Sequence, residues 1–465
     1  MIEILEVFVL VYFTVLNTFS AIAVFVATRE LTHHIRRRQS VGLTELLNRE
    51  FYKPVSLLIP AHNEEETIQA SVDSFLALQY PEYEVIVVND GSNDGTLATL
   101  ILAYDLVESN RNASKTLVTR PIRKIYRSRT KPNLTVIDKE NGGKADALNV
   151  GLTYATFPLF CAVDADSLLD AEALLRLARR FIENDHLIAA GGSVRVMNGS
   201  SMKDGRISEL RIPERWIERI QVVEYARAFL AGRTTFSALG LLLIVSGAFG
   251  LFKRSVVIEA GGFLEGTVGE DMELVMRLHR QMRERHQPYD IEFDLDPVCW
   301  TQVPDSWNVL RAQRDRWQRG LWEALLRHRK MWFNPKYGRI GMIAIPYYLF
   351  FEALSPLIEV GGYAFFLILG FSGRLNWTFV LLFLLLALLY GTVVSVAALS
   401  IELFMRVHYG HPQHRLQLLV TALLENFGFR QWHAWVRFLA TFKLGQKKGQ
   451  WGAMTRQKIT ARKST

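Results

Sequence analysis

Short apolar runs that end in polar residues, each followed by a helical stretch, fill the middle of the chain. PVSLLIPAHNE, which begins at Pro54, and YEVIVVNDGS, which begins at Tyr83, show this pattern first. LTVIDKE, beginning at Leu134, and LFCAVDAD, beginning at Leu159, repeat it. Near-continuous apolar strands separated by helices are typical of a parallel sheet covered on both faces. The sequence therefore predicts an α/β domain with a mostly parallel sheet.

Three longer apolar runs could each cross a bilayer, which takes about 20 apolar residues. They predict an N-terminal transmembrane helix at 1–28, a transmembrane segment at 340–371 and a transmembrane helix at 375–401. The first run lacks a basic n-region and a small-residue cleavage site, so a retained anchor is favoured over a signal peptide. A shorter apolar run, 236–252, is predicted to be a buried segment near the membrane surface rather than a span.

Basic residues predict how these spans are oriented. Arginines are frequent in the linker 29–53 and in the tail 402–465, whereas the short link after the second span holds only Arg374. By the positive-inside rule, residues 29–339 and the tail would lie in the cytoplasm and the amino terminus outside. The sequence therefore predicts a multi-pass protein of the plasma membrane or cell inner membrane, with its globular part in the cytoplasm.

Composition narrows the classes of partner and of bound metal. The chain has 54 Lys and Arg against 46 Asp and Glu, a formal net charge of +8. No basic run carries interleaved base-stacking aromatics, so nucleic acid is excluded as a partner and membrane lipids are the favoured match for the positive charge. With only two cysteines, Cys161 and Cys299, the chain has neither a disulfide framework nor a multi-cysteine metal site.

Two further segments allow more than one interpretation. Leucines recur at helical spacing in 415–442, but charged residues interrupt them. An interfacial helix with Trp432 and Trp435 at headgroup depth is favoured there, and a membrane span stays open as the alternative. The basic insert 111–131 is predicted to be a solvated surface loop, with lipid contact as the alternative.

Acidic side chains stand at the ends of the predicted strands, where ligands bind in sheets of this kind. Asp90 ends the second strand, and Asp164 and Asp166 end the fourth. Two aspartates one residue apart offer oxygen ligands to a magnesium or manganese ion that substrate phosphates also hold. The plainer alternative is a turn and a helix cap, with Asp170 as the cap. Lys144 follows a glycine pair that lets the backbone approach a ligand, and the alternative is an ordinary surface lysine. The acidic groups at strand ends, a basic cluster and a membrane anchor together favour a charged nucleotide as the ligand.

Five motifs recur at long intervals, and together they carry a family resemblance. They are VVNDGSNDGT around Asp90, NGGKADALN around Lys144, the DAD of 164–166, GED at 269–271 and QRDRW at 313–317. The set resembles the second sequence family of glycosyltransferases, and in particular the membrane-bound processive synthases of poly-N-acetylglucosamine, hyaluronan, chitin and cellulose. The resemblance runs over about 54–322. Gly269 stands where the family usually has threonine, and Asn89 stands where many members carry a second aspartate.

The resemblance implies an A-type nucleotide-sugar-binding glycosyltransferase domain over 54–335, with interfacial helices, and an inverting, metal-dependent reaction. The implied contacts of the UDP-sugar are Asp90, Lys144, Asp164, Gln313, Arg316 and Trp317. The implied catalytic residues are Asp271, as the general base, with Glu270 and Arg316. The residues implied beside the acceptor are Ser246, Gly247 and Trp317. The implied ligands of Mg²⁺ or Mn²⁺ are Asp166 and Asp164.

The QRDRW run also has plainer interpretations. Trp317 could be a core aromatic under an amphipathic helix over 306–330. The flanking Arg311, Arg314 and Arg319 are predicted to be solvated or lipid-facing.

The resemblance implies transfer from a UDP-sugar to a growing β-linked polysaccharide, coupled to export. UDP-N-acetylglucosamine is the favoured donor and UDP-glucose the second. One alternative is a glycolipid synthase that adds one or a few sugars to a lipid acceptor. Three spans are few to enclose a polymer channel, so a partner subunit or a homo-oligomer could complete one. Another alternative is a non-catalytic nucleotide-binding membrane receptor, against which Asp271 argues because a receptor needs no general base.

Overall fold

The apolar runs of the sequence become strands, and the stretches between them become helices. The computed structural model describes residues 2–40, 52–110, 117–203, 206–386, 391–404 and 412–445. The strands are β1 (Val55–Ala61), β2 (Tyr83–Asp90), β3 (Leu106–Glu108), β4 (Ile122–Ser128), β5 (Leu134–Lys139), β6 (Leu159–Val163), β7 (Ser167–Leu169), β8 (Leu187–Val196), β9 (Ser201–Lys203), β10 (Arg206–Glu209), β11 (Phe249–Lys253) and β12 (Asp290–Thr301).

The helices connect these strands and also fill both ends of the chain. They are α1 (Ile2–Ser40), α2 (Ile68–Leu76), α3 (Thr96–Tyr104), α4 (Lys144–Tyr154), α5 (Ala173–Glu183), α6 (Trp216–Tyr225), α7 (Arg233–Ala238), α8 (Arg254–Glu259), α9 (Glu270–Glu284), α10 (Trp307–Arg327), α11 (Ile345–Tyr347), α12 (Ser355–Phe371), α13 (Trp377–Leu384), α14 (Gly391–Phe404), α15 (Pro412–Leu424) and α16 (Phe429–Thr441). π-Helical turns occupy Ala226–Gly232, Ile340–Ala344 and Tyr348–Ala353.

The central sheet has the order β3-β4-β5-β2-β1-β6-β11-β8-β12-β7 in the described part of the chain. Strands β5, β2, β1 and β6 run parallel, and β1 is buried at every position, as expected for a strand covered on both faces. The strand β11 lies antiparallel between β6 and β8, while β12 runs parallel to β8. The predicted α/β fold with a mixed, mostly parallel sheet is confirmed.

The basic insert is one place where the prediction is wrong. Residues 122–128 form β4, which pairs antiparallel with β5 near one edge of the sheet, and β3 pairs with it in turn. Arg123, Lys124 and Arg127 are exposed. A strand near an edge buries only part of its side chains, so its charge does not prevent pairing. Residues 111–116 of the insert lie outside the described part.

The apolar run 236–252 is buried as predicted, but part of it is a strand. Helix α7 ends at Ala238, the next residues are largely buried without regular structure, and β11 then enters the sheet. Leu243 and Phe249 have no solvent-exposed surface. The run therefore leads from the end of α7 into a buried strand of the sheet.

Two helical segments among the described residues are long and apolar enough to cross a membrane, Ile2–Thr32 and Ile340–Phe371. They coincide with the first two predicted spans. The third predicted span is represented by α13 and α14, and residues 387–390 between them lie outside the described part. A crossing at 375–401 stays a prediction.

The interfacial helix predicted over 415–442 is divided in the structure. Helices α15 and α16 are separated by a turn in which Gly428 has a φ of 88°. This left-handed conformation suits glycine and ends the helical path. Trp432 packs on Trp307, with ring centroids 4.8 Å apart, so it belongs to an aromatic cluster, whereas Trp435 is exposed.

The chain separates into two compact units. The helical unit comprises the described residues of 2–35, 212–241 and 304–445. The sheet unit comprises the described residues of 36–211 and 242–303, and it contains the whole central sheet.

Candidate active site

Four of the predicted site residues meet in the sheet unit at the ends of strands and the starts of helices. Asp164 directly follows β6, in a turn where the Ser167 amide donates to the Asp164 carbonyl at 3.1 Å. Lys144 is the first residue of α4, and Glu270 and Asp271 are the first two of α9. Polar side chains from the carboxyl end of a strand and from helix starts thus face one place, as ligand sites in open α/β sheets do.

An ion cluster forms the centre of this site. The Lys144 Nζ lies 2.7 Å from Asp164 Oδ1 and 3.1 Å from Glu270 Oε1. These three side chains are largely but not fully buried, with 23%, 32% and 14% of their surface exposed. The lysine therefore links a strand end to the start of a distant helix and keeps some access to solvent.

Burial and charge oppose one another in the pKa values of this cluster. Burial acts to lower the pKa of Lys144, but the Asp164 and Glu270 carboxylates outweigh it and raise that pKa above its usual value. Burial raises the pKa of Glu270, and the Lys144 ammonium partly offsets this. The lysine is therefore a fixed cation at physiological pH.

Asp271 lies beside the backbone of Gly247. The Gly247 amide donates to Asp271 Oδ2 at 3.2 Å, and the Met272 amide donates to Oδ1 at 2.8 Å. A Cβ at position 247 would lie 2.9 Å from Lys144 Nζ, so the glycine lets the chain approach the cluster closely. The predicted acceptor segment 246–247 and the predicted base are thus neighbours.

The two residues predicted to hold a metal flank the turn after β6. Asp166 is 8% exposed and Asp164 more so. No group of three or more His, Cys, Asp or Glu side chains that could hold a metal ion occurs within the residues that the structure describes. A magnesium-like ion at a phosphate site needs only one or two protein carboxylates, because substrate phosphates and water supply the rest. The pair fits such an ion.

The alternative assignment of Asp170 as a helix cap is wrong. The indole nitrogen of Trp300 donates to Asp170 Oδ1 at 2.7 Å, and burial raises the pKa of that carboxyl. The N-cap position of α5 is Glu172 instead.

Asp90 contacts the turn that precedes Lys144. Its Oδ1 accepts from the Gly142 amide at 2.9 Å and its Oδ2 from the Gly143 amide at 2.7 Å. The carboxylate has no exposed surface. Its implied contact with uridine stays a prediction, whereas its contacts with the turn are present.

Two charged residues beside Asp90 were not predicted. Lys139 and Asp146 are fully buried, and the lysine contacts both Asp90 and Asp146. Their signal was available, since Lys139 stands two residues before the motif NGGKADALN and Asp146 lies within it. Charged residues near a glycine pair, however, ordinarily indicate a surface turn.

The QRDRW run belongs to α10 in the helical unit. Gln313 is buried, Arg316 is half-buried and Trp317 is 38% exposed, so Trp317 is not a core aromatic. The predicted exposure holds for Arg311 and is wrong for Arg314.

Arg314 is buried because it has two partners within its unit. Its Nη2 donates to Glu224 Oε2 at 2.6 Å, and its guanidinium lies 4.1 Å from the centroid of the Trp317 ring. Phe229 packs on the same ring, with centroids 5.9 Å apart. Arg319 is half-buried and donates to Asp315 at 2.9 Å. Arg314 and Phe229 thus hold the ring of Trp317 by stacking on it.

The arrangement in the sheet unit has two chemical capacities. A fixed ammonium with two aspartates after β6 can hold a phosphorylated group together with a divalent cation. A carboxylate at a helix start, next to an accessible glycine backbone, can accept a proton from a hydroxyl.

The chain is similar to known proteins in sequence and in fold. The family described as "Glycosyltransferase like family 2" matches residues 53–320. A poly-β-1,6-N-acetyl-D-glucosamine synthase of Staphylococcus aureus is 29% identical over 304 residues, which are 65% of this chain and 61% of that protein. The synthase of Staphylococcus epidermidis is 29% identical over 307 residues, 66% of this chain and 62% of that protein. The chain thus spans less than two thirds of the length of these curated relatives.

Among solved structures, a mannosyltransferase from Pyrobaculum calidifontis in complex with GDP-Man and Mn²⁺ is similar in fold. The TM-score is 0.50 at 18% sequence identity, and the match covers 89% of this chain and 99% of that one. At this identity the likeness concerns the fold.

Proposed function

Because the chain belongs to glycosyltransferase family 2, we propose that it transfers N-acetylglucosamine from UDP-N-acetylglucosamine to the end of a growing β-linked polysaccharide. UDP-glucose is the second candidate donor. The observation that carries the proposal is the contact of Lys144 with Asp164 and Glu270, beside Asp271 and Gly247. It combines a charged donor site with a proton acceptor, which a non-catalytic receptor would not need.

The names of the relatives support the choice of sugar. The synthases of both staphylococcal species make poly-β-1,6-N-acetyl-D-glucosamine by name, and they are 29% identical to this chain over about 300 residues. The family match over 53–320 covers the segment that contains the ion cluster on the sheet unit.

Asp271 is the proposed general base. A sugar hydroxyl is a weak nucleophile, so a carboxylate must take its proton as the new bond forms at C1 of the donor. We propose that the acceptor sugar binds beside the backbone of Gly247, because the Gly247 amide already contacts the Asp271 carboxylate. Attack opposite the leaving diphosphate inverts the anomeric centre and gives a β-linkage from an α-linked donor.

Asp166 and Asp164 are the proposed ligands of Mg²⁺ or Mn²⁺. The cluster contains one ammonium and several carboxylates, so a diphosphate would be repelled without an added cation. A bound divalent ion would stabilise the negative charge that gathers on the departing diphosphate. Lys144, which contacts Asp164, would contact the same donor.

Gln313, Arg316 and Trp317 are kept as proposed contacts of the diphosphate and of the acceptor sugar. The family motif supports this assignment. The stacking of Arg314 and Phe229 on Trp317 gives the ring a defined orientation, as a sugar-binding aromatic requires.

We also propose that the enzyme works at the plasma membrane or cell inner membrane, from the cytoplasmic side. The apolar helical segments Ile2–Thr32 and Ile340–Phe371 support this placement. Membrane lipids would contact these segments. Polymer export would need further helices, which α13 and α14, a partner subunit or a second copy could supply.

A glycolipid synthase that transfers one or a few sugars to a lipid is the second candidate. The observation that favours it is the small number of membrane-spanning candidates in the described residues, since two apolar helices enclose no channel by themselves.

One experiment tests both candidates. The purified full-length chain in lipid vesicles is incubated with Mn²⁺ and radiolabelled UDP-N-acetylglucosamine or UDP-glucose, and the product is sized and digested with linkage-specific glycosidases. We expect a long product labelled from UDP-N-acetylglucosamine. A lipid that carries one sugar would establish the second candidate, and the absence of transfer from either donor would contradict the proposal.

A further inference from the structure

The π-helical turn Ala226–Gly232, called the π turn from here on, continues α6 within the helical unit. Its Phe229 packs on the Trp317 ring, with ring centroids 5.9 Å apart. Glu224, in the last turn of α6, accepts from Arg314 at 2.6 Å, and the Arg314 guanidinium lies 4.1 Å from the centroid of the same ring. The end of α6 and the π turn therefore carry both groups that fix the orientation of Trp317.

A second set of contacts fixes the π turn to helices far along the chain. Arg227 pairs with the carboxylate of Glu425, which has no exposed surface. Arg227 Nη1 also donates to Ser395 Oγ at 2.7 Å, and Ser395 Oγ donates to Glu425 Oε1 at 2.6 Å. Ser395 lies in α14, and Glu425 directly follows α15. The guanidinium of Arg227 thus joins the π turn to both helices.

The spacing of Arg227 and Phe229 explains how one short turn makes both sets of contacts. Side chains two residues apart on a helix do not share a face, so Arg227 and Phe229 reach different neighbours. The Arg233 guanidinium lies 4.2 Å from the centroid of the Phe229 ring and adds a further contact to it. π-Helical turns are rare and occur frequently at functional sites. The turn therefore connects the Glu425 carboxylate to the Trp317 ring.

Burial makes the pair of Arg227 with Glu425 important for the placement of the turn. The Glu425 carboxylate is held out of water, where a charge is stable only beside an opposite charge or hydrogen-bond donors. Loss of the pair would release the π turn from α14 and α15 and shift Phe229 relative to Trp317. Because 38% of Trp317 is exposed, its ring is open to a ligand and its orientation affects binding there.

We propose that the π turn is a positioning element for Trp317, and that Arg227 and Glu425 are positioning residues that tie the ring to the placement of α14 and α15. The inference rests on the proposed function, in which Trp317 stacks on the acceptor sugar. It assigns to these residues the retention of the growing end between successive additions. It gives them no part in binding the donor.

The first experiment measures the mean product length of the full chain in lipid vesicles with Mn²⁺ and radiolabelled UDP-N-acetylglucosamine. Glu425→Gln should shorten the product about two- to tenfold, the range expected when an aromatic contact on the ring is weakened. UDP affinity, measured by calorimetry, should stay near wild type. A product of wild-type length would overturn the inference.

The matched control separates positioning from general stability. Leu418→Ala truncates a fully buried apolar side chain in α15, so it should lower the melting temperature and leave the product length unchanged. Equal shortening in Leu418→Ala and Glu425→Gln would show that only the stability of the helical unit matters, and it would overturn the inference.

The second experiment needs no turnover. The chain is labelled with 5-fluorotryptophan, and the fluorine resonance of Trp317 is identified by its loss in Trp317→Phe. Glu425→Gln should move this resonance, because the π turn carries the ring that packs on Trp317. Leu418→Ala should leave it in place. An unmoved resonance in Glu425→Gln would contradict the inference.

Phe229→Leu covers the case in which Glu425→Gln does not fold. This variant keeps the pair of Arg227 with Glu425 and removes only the ring that packs on Trp317, so it should shorten the product and move the Trp317 resonance. Wild-type values of both would overturn the inference. A wild-type chain that makes no polymer would contradict the proposed function, and the fluorine resonance then decides the positioning of Trp317 by itself. A normal wild-type polymer with no change in the variants contradicts the inference alone.

Discussion

The two halves of the central sheet contribute different chemistry to one site. The parallel half, β5-β2-β1-β6, to which β4 and β3 are added beside β5, carries Lys144 and Asp164 at its carboxyl edge. The other half, β11-β8-β12-β7, carries Gly247 just before β11 and Glu270 and Asp271 between β11 and β12. The contact of Lys144 with Glu270 at 3.1 Å joins the halves.

The two halves differ in whether they bind the donor or take part in the chemical step. The parallel half resembles a general phosphate-binding sheet, in which polar residues at strand ends face a ligand. The half that contains the antiparallel β11 places a carboxylate and an open backbone next to the proposed donor site. We therefore expect variants in the parallel half to change donor affinity and variants in the other half to change the chemical step.

The largest expected effect is that of Asp271→Asn. The amide keeps the shape of the side chain but cannot accept the acceptor's proton, so kcat should fall by about 10²–10⁴-fold. UDP affinity, measured by calorimetry, should stay near wild type. Asp290→Asn, an exposed position of the same half, is the matched control. A variant that retains more than about a tenth of the rate would refute the assignment of the base.

Asp166→Ala should have the next largest effect, and this effect should be on donor affinity rather than on the chemical step. Loss of one of two protein carboxylates should weaken Mn²⁺-dependent UDP binding by about 10–100-fold. Calorimetry with and without Mn²⁺ measures this, and the exposed Asp185→Ala provides the control. If the dependence on Mn²⁺ is unchanged, the ion binds elsewhere.

Gly247→Ala tests the contact between the halves. The new methyl group would lie 2.9 Å from Lys144 Nζ, which is the end of a flexible side chain and can move aside. We expect the KM for the donor to rise by less than about tenfold with little change in melting temperature. Gly361→Ala, a helical site with open space around it, is the control. A large loss of stability would show that the segment at 247 is rigid and that the contact is structural.

The smallest expected effect is a pH dependence from Glu270. Burial raises the pKa of this carboxyl above its usual 4.5, so its favourable contribution is complete below that value and is lost as pH rises through the folded-state pKa. Glu270→Gln does not titrate. The melting temperature of Glu270→Gln relative to that of wild type should therefore rise by about 2 °C between pH 4 and pH 7. If this difference in melting temperature falls as the pH rises, Lys144 lowers the pKa of Glu270 more than burial raises it.

The same comparison explains what could be predicted from the sequence. Strands β1, β2, β5 and β6 each follow the plan of an apolar run, a polar end and a helix. In the sheet, β1, β2 and β5 lie side by side in their chain order, and β6 pairs with the other side of β1. The positions of Lys144 and Asp164 at one edge follow from that regularity. Local patterning is sufficient for this half.

The other half could not be predicted in this way. The strand β11 lies within an apolar run that could equally be a buried helix, and its partners β6 and β8 come much earlier in the chain. Asp271 and Gly247 were reached through the family resemblance. Lys139 and Arg314 were missed or misjudged because burial of a charge depends on partners far away in sequence, Asp90 for one and Glu224 for the other.

The most direct test of the account is a structure of the full chain with UDP and Mn²⁺ bound. The account predicts the diphosphate and the ion beside Asp164 and Asp166, with Lys144 in contact with the donor and Asp271 on the side where the sugar would project. UDP bound away from this ion cluster would contradict the central claim.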